Sequence, residues 1–345
     1  MINVPIDCKS AMLITDRKTR KYFTGVDIAE GYVVITSFTI SCYTDARYFS
    51  AAKVKLQSVN VTAVLFEGLD KLSQDLKAVN IEKLYVDFTK ETVADYESYK
   101  GFGFLVVDCS SIIKNMRAVK TKPQIEYVKK ACEIAERAYH TAIKEIKKGI
   151  TETALKDRLE SLMFSFGADG LAFEPIVAFG ENSAIPHHET GDTKLEDNSV
   201  VLVDMGCTVN GYCSDITRTA FFGTPSDKFK KYYQAVLDAN VCAEQNISSG
   251  ISGKTADAFA RDCLKDNGLD KHFTHSLGHG IGLDVHEYPT LSPKREDKLK
   301  DGMVFSIEPG VYLDGEFGIR IEDTVILENG KVKRLFTDDK NLIIL

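Results

Sequence analysis

The chain has 345 residues, a length that allows about two domains with a core each. Hydrophobic residues at 44% and charged residues at 27% describe an ordinary globular protein. A formal charge of −7 with no basic cluster excludes a nucleic-acid surface. No run approaches the roughly 18 apolar residues needed to cross a bilayer.

Residues 1–113 alternate short apolar runs with helical stretches, which predicts a smaller α/β domain. AMLIT, GYVVITSFTISCY, TAVLFEG, KLYVDF and GFLVVDC read as strands, and Arg47–Leu56, Leu69–Val79 and Thr89–Tyr99 as helices. The opening MINVPIDCKSAMLITDRKTRKY lacks the basic and apolar regions of a secretory signal. Residues 114–122 are basic and polar, and read as a linker. Pro123 then sits in the first turn of a helix running to Lys148, whose apolar stripe includes Val128, Ala131, Ala135, Ala138 and Ala142. Further helices are expected after Thr151, over Asp227–Gln245 and over Thr255–Asn267. Interleaved hairpins and helices make 123–345 an α+β domain with a curved antiparallel sheet. Eight scattered cysteines with no C-x-x-C pair read as thiols of a reducing compartment, hence a cytoplasmic protein.

Chemistry concentrates in this second part. Asp204 in VLVDMG, Asp215 in YCSDITRT, Glu308 in FSIEPG and Glu322 in GIRIEDT each close or interrupt an apolar strand-like run. A buried unpaired charge there is costly, and two carboxylates about 4 Å apart repel by roughly 4 kcal/mol at an effective dielectric near 20. Two divalent cations would balance four such acids, with neutral His279 of SLGHGIG as the fifth ligand. The spacing supports a shared site. The turn-forming Asn210-Gly211 makes 200–222 a hairpin. With those two residues as the loop, Asp204 faces Thr217; one residue earlier, the aspartates face each other. A turn centred on Gly315 sets Glu308 opposite Glu322 in a second hairpin. Asp284 and Asp323 read as ordinary solvated or Arg-paired acids. Cys213, two residues from Asp215, is the thiol placed to intrude on the site, whereas Cys207 falls on the opposite face. Gly278, Gly280 and Gly282 are expected to let backbone pass close to the site. They lack both the G-x-G-x-x-G pattern and a Gly-Lys-Ser/Thr ending, so they do not form a phosphate loop.

The series VDMG, SDITRT, SLGHGIGLDVHE, SIEPG and RIEDT resembles the pita-bread-fold metallopeptidases, in the branch of aminopeptidase P and prolidase. The likeness is close over 120–345 and looser over 1–113, where it matches the creatinase-like amino-terminal domain of that branch. It implies peptidase action at bonds preceding proline. Asp204 would chelate one metal ion, Asp215 and Glu322 would bridge two, and His279 and Glu308 would complete the ligand set of the second ion. A bridging water or hydroxide would be the nucleophile, with Glu308 handling its proton. An oxygen-rich shell suits Mn²⁺, with Co²⁺ or Zn²⁺ as alternatives.

The resemblance also assigns the histidines. His187, 17 residues before Asp204, and His286, seven after His279, match the substrate-binding and catalytic histidines that hold the scissile carbonyl. His275 shapes the wall, and His140 and His272 read as structural; His188 is open between the two. Arg320 is expected to fix a bridging carboxylate or to meet a substrate carboxylate. Several prolidases carry an arginine four residues after the second histidine, where this chain has Thr290. That departure tilts the expectation to an Xaa-Pro aminopeptidase, with an Xaa-Pro dipeptidase as the alternative. A non-catalytic peptide-binding protein is the remote third reading, and a homodimer acting on proline-containing peptides is the expected assembly.

Overall fold

The computed structural model describes residues 4–345, in two compact units that divide between Arg117 and Ala118. The first three residues of the expected 1–113 domain lie outside the described residues.

In the first unit, β1 (Ser10–Ile14), α1 (Arg17–Thr24), β2 (Tyr32–Thr36), β3 (Ile40–Thr44), α2 (Ala46–Gln57) and β4 (Thr62–Leu65) are followed by α3 (Leu69–Ala78), β5 (Lys83–Val86), α4 (Val93–Gly101), β6 (Leu105–Asp108) and α5 (Ser110–Ala118). The strands form one mixed sheet in the order β4-β3-β2-β1-β5-β6. Central β1 is apolar on both sides. Met12 and Ile14 enter one cluster, and Ala11 and Leu13 the other, as a strand period of two requires.

Four expectations for this part change. GYVVITSFTISCY is two strands, because Thr36 Oγ1 accepts from the Phe38 and Thr39 amides and turns the chain. The helix expected from Thr89 begins at Val93: Thr89 is held in a turn by the Asp87 carboxylate, and Thr92 and Asp95 form a capping box. The expected linker over 114–122 is helical as far as Ala118, leaving a short connection before the next helix. Helix α1 was hidden by its basic composition. Asp16 caps it, Gly25 ends it in the left-handed region at φ 71°, and Arg20 turns inward to donate to the carbonyls of Thr15, Ile28, Ala29 and Gly31.

The second unit opens with α6 (Lys122–Ala142), capped by Thr121 and Gln124, and α7 (Glu152–Ser165), capped by Thr151. α6 stops short of Lys148: one 3₁₀ turn follows, and Ile146 is already extended. Then come β7 (Gly170–Leu171), β8 (Ile176–Phe179), β9 (Ser199–Met205), β10 (Cys207–Val209), β11 (Tyr212–Cys213) and β12 (Ile216–Phe222). Helices α8 (Asp227–Asn246) and α9 (Gly253–Asp266) precede β13 (Gly278–Gly280), β14 (Glu287–Leu291), β15 (Val304–Ile307) and β16 (Gly310–Leu313). β17 (Phe317–Arg320), β18 (Asp323–Glu328), β19 (Lys331–Arg334) and β20 (Ile343–Ile344) complete the unit.

Two larger sheets, β20-β12-β9-β8 and β14-β13-β15-β18-β19, are predominantly antiparallel. This is the arrangement of sheets that the pita-bread resemblance implies. α8 and α9 back it, burying Phe229, Val236, Ala239, Ala256 and Leu264 in one cluster with Phe305, Ile307 and Val325. Among the described residues no helix is long and apolar enough to cross a membrane.

Both hairpins take a register set by their turns. Asn210 and Gly211 have φ of 47° and 75°, as a tight hairpin turn needs, and Asp204 lies opposite Thr217. Gly315 has φ 69°, and the pairs Gly310–Arg320 and Ile307–Asp323 flank Glu308 and Glu322.

Candidate metal centre

Asp204, Asp215, His279, Glu308 and Glu322 line one cavity of about 410 Å³, which His187, His275, His286, Thr290 and Arg320 also line. One ligand atom each from Asp215, His279 and Glu322 fall within 4.8 Å of one another. His279 Nε2 is 3.2 Å from Glu308 Oε1 and 3.7 Å from Asp215 Oδ2. Its Nδ1 lies 3.3 Å from the Gly280 carbonyl, which can only accept. Nδ1 therefore carries the hydrogen, and Nε2 is the atom presented to the acids.

Three hydroxyl side chains, each two residues along the chain from one of the acids, hold the acids or their backbone. Thr217 Oγ1 donates to Glu322 Oε2 at 2.7 Å, Ser306 Oγ donates to Glu308 Oε1 at 3.0 Å, and Thr324 Oγ1 holds the Asp215 carbonyl at 2.7 Å. These three were missed in the sequence. The signal was there: each sits at i±2 from an acid, hence on the same face of its strand.

The cavity is electrostatically frustrated. Burial, followed by Glu322, Asp204 and Glu308, pushes the Asp215 carboxyl well above the usual carboxylate range. Glu322 is pushed the same way by burial, Glu308 and Asp204. Asp204 is raised by burial against the pull of Arg320. Glu308 goes the other way: burial raises it, but the hydrogen bond and charge of His279 dominate and bring it to about 2. His279 is correspondingly raised, its burial outweighed by Glu308. Burial and then His279 lower His286, favouring a neutral ring beside the acids.

Two buried oxygens, Asp204 Oδ1 and Glu322 Oε1, have no hydrogen-bond partner among the described residues. Unsatisfied carboxylate oxygens are costly, and they face a cavity already crowded with like charge. Four carboxylates and one imidazole nitrogen fit hard divalent cations.

Of the two roles expected of Arg320, fixing a carboxylate of the site or meeting a substrate carboxylate, the contacts support the first. Arg320 is 3% exposed, and its guanidinium donates to Thr217 Oγ1 at 3.0 Å, Tyr312 Oη at 2.8 Å, the Pro186 carbonyl at 3.3 Å and Asp204 Oδ2 at 2.7 Å. It holds the acid expected to chelate, and its contacts leave little of it for a substrate carboxylate. Tyr312 in turn joins Arg320 to His275, whose Nε2 is 2.9 Å from Tyr312 Oη. Replacing Arg320 with Met should leave Asp204 unrestrained and weaken metal affinity by about 10–100-fold, as loss of a supporting partner does. Metal titration calorimetry checks this; unchanged affinity would remove Arg320 from the centre.

The cysteines stay out of the cage. Cys207 donates to the Ala131 carbonyl at 3.3 Å, and Cys213 Sγ lies 3.8 Å from the Leu283 carbonyl. The glycines of SLGHGIG serve strand packing: a Cβ on Gly278 would come 2.0 Å from the Ser306 carbonyl oxygen. Asp323 is an Arg-paired acid, one of the two kinds expected of it. It is wholly buried and paired with Arg218 at 2.8 Å, Arg334 at 3.0 Å and Lys340 at 3.0 Å, behind Glu322. His188 faces away from the acids and bonds Glu152 at 2.9 Å.

Residues 126–329 match the metallopeptidase family M24, and residues 9–119 match the creatinase/prolidase N-terminal domain. The chain belongs to metallopeptidase family M24. An Xaa-Pro dipeptidase of Pyrococcus furiosus is 36% identical over 328 residues, 93% of this chain and 92% of its own. Among solved structures, an Xaa-Pro dipeptidase from Bacillus anthracis superposes with a TM-score of 0.93 at 34% identity, covering 97% of this chain and 95% of that one. An X-Pro aminopeptidase from Thermotoga maritima MSB8 has a TM-score of 0.90, with the same identity and coverage. As an M24 metallopeptidase the chain is a hydrolase that uses divalent metal, and it is a metallo-exopeptidase.

Proposed function

We propose that this M24 enzyme hydrolyses the peptide bond between an N-terminal residue and a following proline, with Xaa-Pro dipeptides as its first substrates. The observation that carries this reading is the 36% identity to an Xaa-Pro dipeptidase over 93% of the chain, together with a cavity that assembles all five acid and histidine positions. An Xaa-Pro bond has no amide hydrogen and a fixed φ. The enzyme must therefore seat a ring and protonate a tertiary nitrogen as it leaves. Phe173, Ile176 and Val285 give the cavity an apolar wall for the ring.

In this reading Asp204, Asp215, His279, Glu308 and Glu322 would hold two divalent ions, Asp204 on one, His279 and Glu308 on the other, with Asp215 and Glu322 shared between them. The oxygen-rich donor set supports Mn²⁺ ahead of Co²⁺ or Zn²⁺. Bound there, the ions supply an acidified water and a polarised carbonyl. The chain does the rest. His187 and His286 hold the carbonyl oxygen as charge builds on it, and Glu308 moves a proton from the attacking water towards the proline nitrogen. The eight cysteines support residence in the reducing cytoplasm, and the branch supports a homodimer.

One observation favours the longer-substrate reading. Among the described residues Arg320 is the one arginine or lysine lining the cavity, and its guanidinium is committed to Asp204; Thr290 also lines it and is uncharged. A free proline carboxylate thus meets no available cation within the lining. Hydrolysis of Ala-Pro against Ala-Pro-Ala by the Mn²⁺-loaded chain decides. Faster dipeptide turnover is expected; faster tripeptide turnover would make the enzyme an Xaa-Pro aminopeptidase, and no turnover of either would refute the Xaa-Pro reading.

A further inference from the structure

His187 reaches the cavity on a segment with little regular structure. A single 3₁₀ turn spans Gly180–Ala184, and turns and bends lead on to Thr193. A side chain on such a segment is held in place only where the backbone around it is tied down.

One carboxylate ties it on both sides of His187. Glu152, the first residue of α7, is 0% exposed. Its Oε1 accepts from the Phe179 amide and from Asn182 Nδ2, both at 2.8 Å. Its Oε2 accepts from His188 Nε2 at 2.9 Å and from the Gly191 amide at 3.1 Å. A carboxylate offers about four acceptor sites, so this one is saturated. Two donors precede His187 and two follow it. Since a carboxylate only accepts, His188 Nε2 carries the hydrogen. The start of α7 adds two backbone bonds, Glu152 N–H to the Thr193 carbonyl at 3.0 Å and Thr153 N–H to the Gly191 carbonyl at 2.9 Å. On its other side the segment meets the metal centre through the Pro186 carbonyl, 3.3 Å from Arg320.

An acid in the first turn of a helix is usually explained by the helix dipole and stays in water. Complete burial with four donors from one loop calls for more. We infer that Glu152 is a positioning residue of the peptidase site: with His188 as its partner, it fixes the segment that presents His187 to the substrate. This rests on the proposed role of His187 in binding substrate.

A double-mutant cycle on the Mn²⁺-loaded full chain tests it. E152Q keeps the size of the side chain but turns an amide N–H₂ towards two donors. In the wild-type background it should lower kcat/KM for Ala-Pro by about 10²-fold, the scale of a 1 Å misplacement. In an H187A background the same change should cost less than about 2-fold, because Glu152 acts through His187. Calorimetric metal affinity should stay unchanged, since Arg320 keeps its bonds to Asp204, Thr217 and Tyr312. H188A should follow E152Q in direction, and H188Q, which restores a donor, should recover most of the loss. If E152Q fails to fold, the cycle is run with H188A, which removes one donor of four. Additive losses in the cycle, or lowered metal affinity, would overturn the inference and make Glu152 a core residue only. If the wild type cleaves no Xaa-Pro peptide, the functional reading fails by itself. Hydrogen exchange then judges the positioning role: the Phe179 and Gly191 amides should exchange faster in E152Q while the His279 strand is unchanged, and equal rates would overturn it.

Discussion

Asp215→Ala and Glu322→Ala should each reduce peptide turnover by at least about 10³-fold, more than ~4 kcal/mol of transition-state stabilisation. Each acid is read as serving both ions, so losing either removes shared charge neutralisation as well as one ligand. Metal content read by mass spectrometry should fall with turnover. A stability readout separates this from misfolding. In the metal-free protein Asp215 is a buried acid raised by burial and by Glu322, Asp204 and Glu308. Asp215→Asn keeps its shape and removes that conflict, so metal-free D215N should melt above the metal-free wild type while remaining inactive. Full turnover in D215A, or a lower metal-free melting temperature in D215N, would sink the bridging assignment.

Much of the centre was legible because turn chemistry fixes strand register. Asn210-Gly211 and Gly315 specify tight turns, and a strand period of two then decides which residues share a face. The acids of each hairpin therefore share a face from spacing alone, and the fold then brings the two hairpins to one cavity. The partners of Arg320 were not legible. Thr217, Pro186 and Asp204 lie more than 100 residues away in sequence, and no local pattern announces hydrogen bonds of that span. The same holds for Glu152, which looks like any acid at a helix start until the loop closes over it. Helix α1 was obscured for another reason: it has no apolar stripe, and Arg20 buries its guanidinium to collect the carbonyls of neighbouring loops. Local propensity reports the elements. Where a polar side chain is buried to hold a loop, only the assembled fold reveals it.

The stabilising effect of metal should grow with pH, and the metal-free protein should become less stable over the same range. Unfolded Asp and Glu titrate near 3.9 and 4.3. Asp215, Glu322 and Asp204 are raised in the folded metal-free state. Above about pH 4 the folded chain therefore binds more protons than the unfolded one, and unfolding free energy falls as pH rises, by up to about 1.4 kcal/mol per pH unit for each acid that stays protonated. His279, raised by Glu308, has the same sign: its stabilisation is complete below about pH 6.5 and is lost as pH climbs through the higher folded value. Glu308 opposes them only in acid, because a carboxyl brought to about 2 contributes stability above its unfolded value and loses it as pH falls towards 2. Between pH 5 and 7.5 the raised groups decide. Metal ions must displace their protons to bind, so affinity rises with pH and the bound state gains by mass action. Scanning calorimetry at pH 5 and 7.5, with chelator and with Mn²⁺, should show the chelated melting temperature falling and the loaded one holding or rising. A gap between the two that is constant across this range would mean that the acids are already ionised without metal, and that the burial of Asp215 and Glu322 is relieved by some other group.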